Sequence, residues 1–235
     1  MTPETHTHIF QVCRTCGGGA PVDVHFCPSC TKILTITKQG DYFSFLGVPR
    51  KLNLDAGLVE QQFRALSRQF HPDYFYNATP TERRASLERS SYLNDAYRTL
   101  KQPSSRIAYL LEVEGALKAS DHEAAKKVPD SLLQEVFALN EELDEVRELR
   151  EGGAPDAHWR ARLAAAAAPI ESKRAEHEAQ LRALSARWDA LSPGDAAGRA
   201  EVLGALRERT LERNYINNLL ATIEREATGH GGPQL

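Results

Sequence analysis

Proline 72 does more than any other residue to limit how this chain folds. The stretch before it, Leu58-Val-Glu-Gln-Gln-Phe-Arg-Ala-Leu-Ser-Arg-Gln-Phe70, sets Leu58, Phe63, Leu66 and Phe70 at helical spacing. That run is an amphipathic helix with one apolar face. Pro72 has no N–H and pushes His71 out of the α region, so the helix must stop there. Asn53 and Asp55 are the candidate caps at its start. A second helical run spans Thr81 to Leu100, capped by Thr79 or Thr81 with Glu82 in its first turn. Phe75 and Tyr76 keep the connecting loop partly apolar. The chain here predicts a helical hairpin with His71, Pro72 and Asp73 at its exposed tip. Leu87, Leu93, Ala96, Tyr97 and Leu100 are expected to bury against Phe45, Leu46, Phe63, Leu66 and Phe70.

All the cysteines fall within residues 10–38, as Cys13-Arg-Thr-Cys16 and Cys27-Pro-Ser-Cys30. Two residues between cysteines let both thiolates turn onto one metal, and four thiolates satisfy tetrahedral zinc as a closed structural site. Gly17, Gly18 and Gly19 suit the tight backbone such a turn requires. Iron fits the same ligand set. Two disulfides would need an oxidising compartment, which nothing else in the chain supports. A thioredoxin-like pair would need a βαβ setting, which is missing. His25 lies nearby, but four cysteines already fill the shell. Alternation over Val22–Phe26 and Lys32–Thr37 predicts a small β-hairpin beneath the site.

Residues 40–112 then hold a short helix at Tyr42–Leu46, the hairpin, and a further helical stretch from Arg106 to Leu111 beyond Pro103. Residues 113–129 read as a connector. Residues 130–228 carry three helical patterns: Asp130 or Ser131 to Arg150, Ala157 to Leu191, and Ala196 to Glu226. Breaks at Gly152-Gly153-Ala154-Pro155 and Ser192-Pro193-Gly194-Asp195 are short, so an antiparallel three-helix bundle is expected. Pro169 should kink the second helix, after an alanine run with little to pack. Leu203, Leu206, Leu211, Ile216, Leu219, Leu220 and Ile223 are expected inward on the third. Residues 1–9 and 229–235 read as disordered tails. His6 and His8 in the first tail read as solvated, not as ligands.

On the first bundle helix the apolar surface is wider than one core stripe needs. Leu132, Val136, Leu139, Leu143 and Val146 can fill the interior. Leu133, Phe137, Glu141 and Glu145 follow at four-residue steps along one outer side. An exposed Phe there would mark a binding surface.

Few valines and isoleucines, with Ala, Leu, Glu and Arg dominant, make the chain mainly α. A net charge of −3 offers no global basic field, and Arg14 and Lys32 are the clear cations beside the cysteines, so no nucleic-acid partner is expected. No apolar run nears the roughly 20 residues of a membrane span. The N-terminal residues lack a signal-peptide core and the Arg-rich pattern of a transit peptide, and a cytoplasmic protein is expected. There is no P-loop and no G-x-S-x-G, and His71 and Asp73 have no nucleophile or phosphate cradle beside them. The chain is not expected to be an enzyme.

Around the tripeptide stand Asp41-Tyr-Phe-Ser-Phe-Leu-Gly-Val-Pro49 and Leu93-Asn-Asp-Ala-Tyr-Arg-Thr-Leu100. With these the chain resembles a J-domain, the co-chaperone module that stimulates ATP hydrolysis by DnaK-type chaperones. Pro103-Ser-Ser-Arg-Ile-Ala-Tyr-Leu-Leu111 and Asn140-Glu-Glu-Leu-Asp-Glu145 are similar to the HscB family, which serves iron–sulfur cluster assembly. The resemblance covers roughly residues 10–151. It implies that His71, Pro72 and Asp73, with Arg64 and Arg68 on one face of the preceding helix, meet a DnaK-type (HscA-like) chaperone. It also implies that an IscU-type scaffold binds Leu133, Phe137, Glu141 and Glu145 plus an aromatic on the last helix, Tyr215. Gln134 departs from the family, which often has an apolar residue there. A general J-domain co-chaperone is the near alternative, although its Gly/Phe-rich segment and β-sandwich domains are missing. A zinc-ribbon helical adaptor with an accidental His-Pro-Asp is the other.

Overall fold

The computed structural model describes residues 10–37, 40–117 and 128–228. The expected tails, with His6 and His8, and most of the expected connector lie outside the described residues. The chain divides into two compact units, residues 1–109 and 110–235.

In the first unit, strands β1 (Phe10–Val12) and β2 (Gly19–Pro21) pair antiparallel, with Gln11 opposite Ala20. The hairpin expected at Val22–Phe26 and Lys32–Thr37 shrinks to one bridge, Phe26 with Ile33. Two cross-strand bonds, Cys27 N–H to Lys32 O and Leu34 N–H to His25 O, flank that bridge.

Helix α1 (Tyr42–Leu46) opens on an Asp41–Ser44 capping box and ends on Gly47 at φ 65°, a left-handed conformation glycine adopts without steric cost. Helix α2 (Ala56–Phe70) begins on Asp55, whose carboxylate accepts from Gly57 N–H. Helix α3 (Pro80–Lys101) begins on Thr79, with Glu82 completing a capping box. Helix α4 (Pro103–Val113) starts at the proline that ends α3's reach. Phe43, Leu46, Val59, Leu66, Phe70, Leu93, Ala96 and Leu100 are buried in this unit. Phe63 stacks on Tyr97 at 4.1 Å between centroids, and Tyr42 on Tyr109 at 4.4 Å. Arg106 is buried and donates to the carbonyls of Leu100 (2.7 Å) and Leu52 (2.5 Å).

Leu87 is a correction: it is 59% exposed. Stepping back from Leu93 by threes and fours leads to Arg89, Ser86, Ala85 and Glu82, all of which are buried. The first half of α3's inner stripe is polar because polar groups cover it.

The second unit is built on α5 (Leu133–Glu151), α6 (Asp156–Ala190) and α7 (Ala196–Ala227). Ion pairs set their directions. Lys173 meets Glu135 and Arg162 meets Glu142, so α5 and α6 run antiparallel. Arg187 meets Glu201 and His177 meets Glu212, which makes α6 and α7 antiparallel too. Helix α6 runs on through Pro169. Leu132, Leu139, Leu143, Val146, Trp159, Leu163, Ile170, Ile216 and Ile223 form the core. Val202, not foreseen, is fully buried on α7, whereas Leu203 and Leu211 are half-buried. No helix among the described residues is long and apolar enough to cross a membrane.

Candidate functional site

The hairpin tip follows from its punctuation. His71 sits at φ −57°, ψ 126°, outside the α region as the following proline requires. Residues Pro72–Phe75 make one 3-10 turn. His71 Nδ1 accepts from Asp73 N–H at 3.3 Å, and Tyr74 N–H donates to His71 C=O at 3.0 Å. His71, Pro72, Asp73, Tyr74 and Tyr76 are all exposed. Their side chains are open to solvent.

The helix stop leaves the Phe70 carbonyl without an intrahelical donor. Ser86 and Ser90, one turn apart on α3, supply it: their hydroxyls donate to Phe70 O at 2.7 and 3.0 Å. Arg64 and Arg68 are exposed on α2, and Arg64 pairs with Glu60 at 2.6 Å.

The four cysteines come together in two turns of matching form. Cys13 N–H bonds Gly18 O and Gly17 N–H bonds Cys13 O; Cys27 N–H bonds Lys32 O and Thr31 N–H bonds Cys27 O. Each turn closes on a residue in the left-handed region, Gly17 at φ 74° and Thr31 at φ 60°. A Cβ on Gly18 would come within 3.3 Å of Cys16 Sγ and 3.0 Å of Ser29 Oγ, a tight fit that a side chain there would crowd. Amides within each turn, foremost that of Cys16, hold the Cys13 thiol down to about 6; the amide of Cys30 lowers Cys27 in the same way.

All four Sγ atoms lie within 4.8 Å of one another, with Cys13–Cys30 and Cys16–Cys27 at 3.7 Å. A tetrahedron with metal–sulfur bonds of about 2.3 Å has S···S edges of about 3.8 Å, whereas a disulfide needs about 2.0 Å. The donor set fits one metal ion held by four thiolates.

Sequence reasoning missed what the cysteine turns rest on. Arg89 of α3 is 2% exposed. Its Nε donates to Leu34 O (2.6 Å), Nη1 to His25 Nδ1 (2.8 Å) and Nη2 to Thr35 O (3.4 Å). Its guanidinium lies 5.7 Å from the ring centres of both Phe45 and Phe70. Burial pushes His25 down to about 4, with Arg89 adding to the effect, so its imidazole is neutral and can accept. The His25 ring meets Phe45 and Phe70 edge-on, each at 4.9 Å. Lys32 reaches the buried carboxylate of Glu82 at 3.0 Å. The one available signal was the polar run in α3's inner stripe.

In the second unit Leu133, Phe137, Glu141 and Glu145 are all exposed on α5, Phe137 at 68% and Leu133 at 39%. Glu145 pairs with Arg162. Tyr215 is half-buried against the bundle core. Beside this stripe, Leu139, Ala138, Ala165, Ala166 and Pro169 line a shallow groove of about 430 Å³ between α5 and α6, where the alanine run leaves the space unfilled.

Residues 41–109, which carry the exposed His71-Pro72-Asp73 turn, match the DnaJ domain family. Two solved structures extend the likeness over most of the chain. Human co-chaperone protein HscB is 24% identical with a TM-score of 0.66, covering 92% of this chain and 98% of that one. Chaperone HscB from Vibrio cholerae is 28% identical with a TM-score of 0.56, covering 81% of this chain and 100% of that one. Residues 41–109 are thus similar to the DnaJ domain, and the chain has the fold of the HscB structures.

Proposed function

We propose that this chain is a cytoplasmic co-chaperone of iron–sulfur cluster assembly or transfer. In this reading it stimulates the ATPase of a DnaK-type (HscA-like) chaperone and delivers an IscU-type scaffold to it. It has no reaction of its own to catalyse. The observation that carries the reading is the exposed His71-Pro72-Asp73 turn, set in a DnaJ domain on a chain with the HscB fold. Asp73 and His71 would bond polar groups on the chaperone, and Arg64 and Arg68 would steer α2 onto an acidic surface of it. Stimulation requires these contacts to be stronger with the hydrolysis-competent state, because a ligand shifts an equilibrium only by its differential affinity. Leu133, Phe137, Glu141 and Glu145, with Tyr215, would hold the scaffold. The four cysteines would hold zinc, which draws the two turns into one rigid module.

The test is single-turnover ATP hydrolysis by a DnaK-type chaperone with the intact protein, compared with Asp73→Asn and His71→Gln. Stimulation by wild type and loss of it in both variants, at unchanged melting temperature, supports the reading. Equal stimulation by all three overturns it.

A further inference from the structure

The cysteine module touches both ends of the His-Pro-Asp loop. At the entry, the Phe70 ring packs under His25 and lies 6.2 Å from Phe26, between centroids. At the exit, Lys32 holds Glu82, and Glu82 closes the Thr79 cap that starts α3. Between them, Arg89 binds His25, Leu34 and Thr35, which flank the Cys27–Cys30 turn in sequence. Among the described residues no carboxylate pairs with Arg89; its partners are two carbonyls, one imidazole nitrogen and two ring faces.

A buried cation without a carboxylate partner is stable only while the groups that accept its hydrogen bonds stay in place. Their placement depends on the second turn being closed, and closing that turn is what a metal on the four thiolates does. If the turns open, the three acceptors leave, and Arg89 must turn out to water. The slot between Phe45 and Phe70 then empties, and Phe70 is the residue before His71.

We propose that the loaded four-cysteine module positions the His-Pro-Asp loop for the chaperone, with Arg89 as the positioning residue. This rests on the co-chaperone reading for its purpose, but the coupling itself is a property of residues 10–109. A loosened loop must be ordered on binding, which weakens the encounter without altering the contacts once made.

The experiment follows amide exchange of residues 68–78 in the intact protein, with its metal and after removal by a mercurial and a chelator. Arg89→Met and Arg89→Lys are measured with metal bound, and metal content is read by colorimetric chelation. Removal of metal and Arg89→Met should each speed exchange in this segment by about threefold or more, while bundle segments stay unchanged. Arg89→Lys, which keeps the charge and loses the fork, should fall between. In the ATPase assay, the concentration for half-maximal stimulation should rise by a similar factor, with the maximum unchanged. Unchanged exchange in both Arg89→Met and the metal-free protein overturns the proposal. So does acceleration that spreads through the whole chain, which would make Arg89 merely structural. If loaded wild type gives no stimulation, the co-chaperone reading fails while the exchange result still decides the coupling.

Discussion

Replacing Leu133 and Phe137 together by alanine isolates the proposed client face of α5. A phenylalanine side chain presents roughly 200 Å², and two thirds of Phe137 is in water. Covering that area is worth up to about 3 kcal/mol at about 25 cal/mol per Å². Leu133, at 39% exposure, adds a smaller share. Association also costs lost rotational freedom and side-chain ordering, so only part of this appears as affinity. We expect the double variant to bind an IscU-type scaffold at least tenfold more weakly, about 1.4 kcal/mol. Folding should hardly change, because neither side chain belongs to the bundle core. Leu139→Ala, two residues on and buried, should instead cost about 2–5 kcal/mol of stability. The assay is calorimetric titration with the scaffold, beside thermal melts by circular dichroism. Stimulation of the chaperone without scaffold should be unaffected. Wild-type affinity in the folded double variant would refute the assignment of this face.

The remaining predictions concern the metal module and the bundle. Protein purified under reducing conditions should carry about one equivalent of zinc, and Cys13→Ser should lose it; protein that carries no metal and holds two disulfides instead would refute the site. Thr31 is a β-branched residue at φ 60°, a conformation that costs about 1–2 kcal/mol. Thr31→Gly should therefore slow metal loss to a competing chelator, and faster loss would show that the Thr31 hydroxyl's bond to Cys30 O matters more. His177 is buried with Nδ1 3.3 Å from Glu212 Oε2 but not aligned to bond it. Burial lowers its pKa, with Arg209 and Lys173 acting the same way against Glu212 and Glu176. As pH falls through about 6.5 the unfolded chain takes up the proton before the folded chain does, so the stability His177 contributes is present above that pH and falls below it. Between about pH 7 and about pH 5, wild type should lose stability relative to His177→Gln in thermal melts. A gap that stays constant would refute this.

Local chemistry was legible in the chain. Pro72 ended α2, one of the two candidate caps at each start, Asp55 and Thr79, capped its helix, and two C-x-x-C pairs met as one four-thiolate cluster. Helix ends and caps are decided within a few residues, where backbone sterics and hydrogen-bond supply leave few solutions, and the C-x-x-C spacing fixes each half of the cluster. Helical period also separated Leu139, Leu143 and Val146 from Leu133 and Phe137, because one helix face cannot serve both the core and the solvent. What the sequence could not show depends on what lies across a surface. Leu87 reads as core by hydrophobicity, yet points to water; Arg89 reads as surface, yet is buried. Tyr215 has an aromatic's apolar body, but its half-burial against the bundle core was decided by the neighbouring helices. Burial is a relation between two segments, and Arg89 is 55 residues from the carbonyl it binds most closely. Only the tertiary structure brings Leu34, His25, Phe45 and Phe70 around that guanidinium, and with them sets the cysteine module against the base of the His-Pro-Asp loop.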